Sequence, residues 1–593
     1  MKMKRMICAF LLMTALLLAN VTPVFAAEEG KLPSGIAYDE IGAAVEAIVE
    51  EYEDTTAGLA AGVFDRDGIL YEGYFGYANK ETGLDVDAET VMEWGSISKL
   101  TVWVSVMQLW EQGRIDLNKD IQIYLPDGFL KNLCYEKPIT MMDLMNHTPG
   151  FEEFVFGLVA DDEESLLPLE ETLSRFQPVQ RFEPGVVQAY SNYGTALAGY
   201  IVERISGQPY YAYVREHIFE PLDMRHTSIL SDMSDNPWVQ TQREKLHCYR
   251  DDCSYIPDGR WYLNLYPCAM CISPLEDLIK FGQALLDPNS PLFESSTTYA
   301  EMFSPSAYCG DTDIPACCHG FWPVFGKPNL LYHMGTTAGC SSVLYLDLNS
   351  GTAVAVMTNQ RFEYNYVYSL PELVFSESED ADGSNEQEDV EEYSPFDSGY
   401  AENSRNIWTG PLKLYRLFNT VSLSDYYDWG NETESFGVSR VVYPGLTLLS
   451  APTTSVILRF ASVILWALAS LFSLFLLFAR LVQTLRHRQK KAMGVWGFLC
   501  CIVQLPFPLV MLPLAQSLQN LEWWPMWCYR LVFIVAFILC LVMVALFVLG
   551  ILRSRKEALS KKQKALHVIL LITLLISILN ILYWNLFMFW MIP

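Results

Sequence analysis

Apolar and polar positions alternate, cluster and repeat along the chain in a way that predicts its elements before any composition is counted. Residues 37–53, from Tyr38 to Tyr52, carry the spacing of a helix. Gly58 to Phe64 and Ile69 to Tyr77 read as strands paired across Asp65-Arg66-Asp67-Gly68, a hairpin-type turn. A long, mostly helical stretch follows from about 96 to 285. Strand patterns return at Leu330–His333, Ser341–Leu346 and Thr352–Met357, the last two joined through Asn349-Ser350-Gly351. Strands at both ends of a helical middle predict an α/β (α+β) fold: an antiparallel sheet flanked by helices, with an inserted helical subdomain.

Near the C-terminus four apolar stretches, roughly 455–479, 493–515, 529–552 and 566–590, are each long enough to cross a bilayer as a helix, so a four-helix transmembrane region is expected over 455–590. Gln504, Pro506, Pro508 and Pro513 mark the second stretch as kinked. The loop after the first stretch holds Arg480, Arg486, Arg488, Lys490 and Lys491. The loop after the third holds Arg553, Arg555, Lys556, Lys561, Lys562 and Lys564. The loop between the second and third has Glu522 and no basic residue. That alternation predicts a multi-pass protein of the cell membrane with residues 27–450 outside. The start of the chain agrees: Lys2, Lys4 and Arg5, an apolar run from Ile7 to Ala19, then Val24-Phe25-Ala26, read as a signal peptide over 1–26.

Charge sharpens this division. The whole chain carries −29, residues 1–27 carry +3 and residues 451–593 carry +11, so residues 28–450 carry −43. A body so acidic excludes nucleic acid as a partner, because phosphate would meet like charge. Residues 376–395 are acidic and almost free of apolar side chains, and read as a linker. Residues 396–450 form a juxtamembrane segment too short and mixed to predict an independent domain. Nine of the 14 cysteines lie in the exported part, an odd number. Cys248 with Cys253, or Cys309 with Cys317, would close short loops in an oxidising compartment. Cys268 and Cys271 have the spacing of a redox or zinc pair, but no second pair accompanies them; neither metal nor cofactor is expected.

The candidate chemistry begins at Ser96-Ile97-Ser98-Lys99, which opens an apolar helical run ended by Gly113. In a helix Ser96 and Lys99 share one face a turn apart. A serine there lies near free backbone N–H groups, and a lysine held in a partly dry site can take the hydroxyl proton. Tyr190-Ser191-Asn192 follows the turn Glu183-Pro184-Gly185 and precedes a helical run from Gly194 to Ile205; a tyrosine there can relay a proton and an amide can fix a carbonyl. His333-Met334-Gly335 ends a strand, where a glycine lets substrate approach the edge closely.

The order S-x-x-K, Y-x-N, H-x-G resembles the three motifs of the serine β-lactamase-related family, which includes class C β-lactamases, low-molecular-weight penicillin-binding proteins and esterases. The flanks are similar too: Trp94-Gly95, Ile115-Asp116-Leu117, Tyr124-Leu125-Pro126, His147-Thr148-Pro149-Gly150, Pro221-Leu222-Asp223-Met224 and Met357-Thr358-Asn359. The likeness covers about residues 35–375. It implies that Ser96 is the acylated nucleophile, Lys99 its base and Tyr190 a second acid/base. It further implies that Asn192 holds the acyl side chain, that His333 and Gly335 line the strand edge, and that the backbone N–H groups of Ser96 and Thr336 form the oxyanion hole. β-Lactamases and carboxypeptidases of the family usually carry lysine where this chain has His333. A mostly uncharged histidine puts carboxylate recognition in question and turns the expectation toward esters and D-amino-acyl compounds. The expected function is an extracytoplasmic, membrane-anchored serine hydrolase acting on cell-wall peptides or esters. The rival is a penicillin- or wall-fragment-binding sensor that reports to a protein partner through its transmembrane helices.

Overall fold

The computed structural model describes residues 30–152, 157–257, 259–309, 313–376, 400–403, 420–422, 440–443, 446–450, 453–486, 494–519, 525–556 and 559–588. The expected signal peptide lies outside them, as does nearly all of the acidic linker. In chain order the main elements of the hydrolase part are α1 (Ile41–Tyr52), β1 (Gly58–Asp65), β2 (Ile69–Asn79), β3 (Leu84–Asp85), α2 (Lys99–Glu111), α3 (Asn192–Ser206), α4 (Leu275–Leu286), β4 (Trp322–Val324), β5 (Lys327–Thr336), β6 (Ser341–Asp347), β7 (Thr352–Thr358) and α5 (Asn365–Phe375).

The strands form one seven-stranded sheet in the order β4-β5-β6-β7-β1-β2-β3. The pairings are antiparallel, with Val63 opposite Val354 and Ser341 opposite Thr358 as examples of register. The first and last strands of this sheet in chain order thus meet at its centre, where β1 lies beside β7. Every residue of β7 is buried, so its apolar run is continuous rather than alternating, as a central strand covered on both faces requires. Period-two alternation distributes side chains to the two layers. Leu59, Ala61, Val63, Val354 and Val356 pack with Ile41 and Val45 of α1 and Val367, Leu370 and Val374 of α5. Ala60, Phe64, Ala353, Ala355 and Met357 face the other way, into the larger core with α2, α3 and α4.

That larger core lies between the sheet and the inserted subdomain. Its central helix, α2, is buried from Lys99 through Leu109, so it has no polar face to offer solvent. The insertion is helical around α2 and α3 but also holds short strand pairs, such as Cys248–Tyr249 with Tyr255–Ile256. The juxtamembrane residues, expected to lack a recognisable unit, contain a four-stranded antiparallel sheet: β8 (Tyr400–Asn403), β9 (Thr420–Ser422), β10 (Arg440–Tyr443) and β11 (Leu446–Ser450), in the order β9-β8-β11-β10.

The membrane region corrects the expected count. Among the described residues three helices, not four, are long and apolar enough to cross a membrane: α6 (Thr453–Leu485), α9 (Met526–Lys556) and α10 (Lys561–Tyr583). The second apolar stretch is instead two short helices, α7 (Val495–Ile502) and α8 (Pro506–Gln519). Proline is the reason: Pro506 has no N–H to donate back into α7, and it disfavours helical backbone at Leu505. Gln504 is fully buried at the break, where its side-chain amide donates to the Cys500 carbonyl at 2.7 Å and to Thr573 Oγ1 of α10 at 3.3 Å. Ser577 Oγ donates in turn to Gln504 Oε1 at 3.0 Å.

Candidate active site

Ser96 lies in a single 3-10 turn, Gly95–Ser98, that runs directly into α2, and Lys99 is the first residue of that helix. Two contacts fix the turn against the insertion. The Cys271 N–H donates to Ser98 Oγ at 2.9 Å, and the Trp94 N–H donates to the Cys271 carbonyl at 2.8 Å. Lys99 is wholly buried, yet its ammonium group is satisfied: Nζ donates to Ser96 Oγ at 2.9 Å and to the Cys268 carbonyl at 2.8 Å. The expected pair is therefore assembled, and the Cys268–Cys271 segment, whose spacing raised a metal or redox reading, supplies backbone groups that hold it.

Tyr190 stands above this pair, with Lys99 Nζ 4.8 Å from its ring centroid. Its position is set from both sides. Ser191 caps α3 by accepting the Gly194 N–H at 3.0 Å. The Ser191 N–H donates to Nδ1 of His147 at 3.1 Å, and the His147 ring stacks on Tyr190 at 4.4 Å. Trp322 of β4 closes the group, with ring centroids 5.5 Å from His147 and 6.1 Å from His333. Asn192 is the first residue of α3, two positions beyond Tyr190 and half-buried.

The third expected motif arrives on β5, which runs against the turn carrying Ser96. A Cβ on Gly335 would lie 1.9 Å from the Trp94 carbonyl oxygen, and one on Gly95, whose φ is +51°, would lie 2.6 Å from the Thr336 nitrogen. Any side chain at either position would push the strand away from the serine, so both glycines are required by proximity. The strand is also tied down by Ser342 Oγ, which donates to the Trp94 carbonyl at 2.7 Å. Ser96, Lys99, Tyr190, Asn192, His333, Gly335 and Thr336 thus come from three separate segments that the fold brings to one edge of the sheet.

His333 is 2% exposed, and its Nδ1 faces the Met334 carbonyl at 2.8 Å. A carbonyl only accepts, so Nδ1 carries the proton and Nε2 keeps a lone pair. Burial first, and the charge of Lys99 second, push its pKa from the usual 6.5 down to about 3. The imidazole is neutral at any pH near 7.

His147, Trp322 and the Cys268 carbonyl belong to this site although no role attached to them in the sequence. His147 stood in the His147-Thr148-Pro149-Gly150 run, and its φ of +55° marks it as conformationally unusual. Nothing in the chain near Cys268 signals that its carbonyl meets Lys99, since that contact joins residues 169 apart.

A family model described as Beta-lactamase matches residues 45–376, more than half of the chain. The chain belongs to the beta-lactamase family. Within it, the chain is 26% identical to the Bacillus subtilis protein PbpX over 295 residues, covering 49% of this chain and 70% of that one. It is 24% identical to Protein flp of Staphylococcus aureus over 314 residues, 52% of this chain and 59% of that protein, less than two thirds of its length. It is 26% identical to Penicillin-binding protein 4 of Amycolatopsis lactamdurans over 326 residues, 52% of this chain and 82% of that one. Among solved structures, the octameric penicillin-binding protein homologue from Pyrococcus abyssi matches at 19% identity and TM-score 0.48, covering 57% of this chain and 78% of that one. EstCE1, a hydrolase with promiscuous acyltransferase activity, matches at 18% identity and TM-score 0.47, covering 57% of this chain and 99% of that one.

Proposed function

We propose that this beta-lactamase-family hydrolase forms an acyl-enzyme at Ser96 and acts outside the cell membrane on uncharged esters or amides, with cell-wall peptides or esters as the natural class. The observation that carries the reading is the 2.9 Å contact between the buried Lys99 Nζ and Ser96 Oγ. In its neutral form that amine accepts the hydroxyl proton as Oγ attacks the substrate carbonyl. The Cys268 carbonyl holds the amine in place throughout. Tyr190, beside Lys99, protonates the leaving group and later activates the deacylating water. Asn192 receives the acyl side chain. The N–H groups of Ser96 and Thr336 point to the developing oxyanion, a contribution of about 3 kcal/mol per donor in the transition state; the close approach of Thr336 to Gly95 supports this pairing.

His333 supports the preference for uncharged substrates. A neutral ring with an accepting Nε2 offers a carboxylate no charge and no proton, whereas a hydroxyl or N–H on the substrate can donate to it. The signal-like N-terminus and the basic loops support placement of the domain outside the membrane, anchored by the apolar helices. A fluorophosphonate probe applied to the purified chain tests the nucleophile: labelling is expected on Ser96 and lost in Ser96→Ala. Undiminished labelling of that variant would move the nucleophile to another serine.

A further inference from the structure

Cys253 and Cys317, each expected as a candidate to close a short loop, have other neighbours in the fold. The Cys253 thiol donates to Gln360 Oε1 at 3.4 Å, and the Cys317 thiol faces the Met145 carbonyl and the Gly320 N–H. Cys248 and Cys340 instead interact with each other, as free thiols. Both are buried, at 2% and 0% exposure. Two glycines make room for the contact. A Cβ on Gly339 would lie 2.2 Å from Cys248 Cβ and 2.4 Å from its sulfur, and one on Gly259 would lie 2.6 Å from Cys248 Cβ.

We infer that Cys248 and Cys340 form a disulfide in the mature protein, linking the short strand Cys248–Tyr249 to the turn that follows β5. The inference rests on the export reading, because a disulfide persists in an oxidising compartment. Arg243 holds the first sulfur in the fold: its Nη2 lies 3.3 Å from Cys248 Sγ while also binding Glu93 at 2.8 Å and the Gly259 carbonyl at 2.9 Å. The Cys340 hydrogen bond first, then the guanidinium charge, hold the Cys248 thiol below its usual range against the effect of burial.

The oxidant is a disulfide, small or carried by an exported thiol oxidoreductase, that meets the pair before folding buries it. The Cys248 thiolate attacks one donor sulfur and expels the other as a thiolate. Cys340 then loses its proton and attacks the Cys248 sulfur, releasing the second donor thiolate. The protons from both cysteines end on the two donor sulfurs, so the donor is reduced by two electrons and the pair oxidised by two.

The bond reaches the site from two directions. Cys340 closes a turn with Thr337, through N–H bonds of 2.9 and 3.0 Å, directly after Thr336. Cys248 is joined through Arg243 to Glu93, three residues before Ser96. The strand edge and the nucleophile turn are thereby anchored to the same covalent point.

The full chain, purified in detergent from its own membranes after alkylation without reduction, is digested and read by mass spectrometry. A peptide pair joining Cys248 to Cys340 is expected, and it disappears in Cys340→Ser. In parallel, intact cells are treated with a membrane-impermeant maleimide, which reaches exposed Cys134 only if the domain is outside. Alkylated Cys248 and Cys340 together with labelled Cys134 would overturn the disulfide while leaving export standing. If Cys134 escapes the reagent, export alone fails, and the peptide map of the unreduced chain still decides the pairing: a Cys248–Cys340 link upholds it, and any other state of Cys248 refutes it.

Discussion

Acid should weaken this protein through His333, by an amount that its burial fixes. The folded ring has a pKa of about 3 against an ordinary 6.5. Above pH 6.5 both folded and unfolded chains hold it neutral, and it contributes no pH dependence. Below that value the unfolded chain takes up a proton that the folded chain refuses, so stability falls with falling pH until the folded value is reached. At pH 5 the gap is about 1.5 units, and at about 1.4 kcal/mol per unit the loss is about 2 kcal/mol. Urea unfolding of the detergent-solubilised chain, followed by tryptophan fluorescence between pH 7 and 5, measures it against His333→Gln. The variant keeps a hydrogen-bonding side chain but has nothing to titrate, so its stability should decline less by that amount. His319, also held below its usual range by burial, is present in both proteins and cancels. Parallel pH curves for the two would refute a buried neutral His333.

Two further outcomes test the chemistry. Tyr190→Phe keeps the ring stacked on His147 but removes the hydroxyl, so turnover should fall about 100-fold or more while probe labelling of Ser96 persists, with acyl-enzyme visible by intact-mass spectrometry; unchanged turnover would assign the proton relay elsewhere. Between matched esters with and without a carboxylate, kcat/KM should favour the uncharged one, and His333→Lys should shift the ratio toward the acid by about 10- to 100-fold, the worth of a charge-assisted hydrogen bond; an unshifted ratio would place the carboxylate away from His333.

The local elements were legible because each answers to a local rule. β1, β2, β6 and β7 follow alternation or a buried apolar run, and α3 begins at a serine cap and ends before Gly207. The order of three short motifs brought Ser96, Lys99 and Tyr190 into one expectation, and the fold sets them side by side. What escaped were partners chosen by tertiary contact. The Cys268 carbonyl under Lys99, the His147 ring behind Tyr190 and the Trp322 wall depend on chain crossings that no periodicity records. The neighbours of the cysteines escaped for the same reason: proximity in sequence pointed Cys248 toward Cys253, whereas the fold sets Cys253 against Gln360 and the turn after β5 against Cys248. The second apolar stretch was long enough to span and its prolines were visible, yet length alone could not distinguish a kinked helix from two.

That break has a consequence for the order in which the membrane region is completed. The backbone interruption between α7 and α8 is closed by one amide, and two of that amide's partners, Thr573 and Ser577, stand on α10. In an apolar surrounding no water is at hand to substitute for them. The helix that supplies them is synthesised after α9, so the seam in the second apolar stretch stays open through the making of everything between and is sealed only when α10 docks. A chain stopped after α9 would keep two of its three long helices but lose the clasp on the interruption, so the membrane region matures as one late, cooperative step and not span by span.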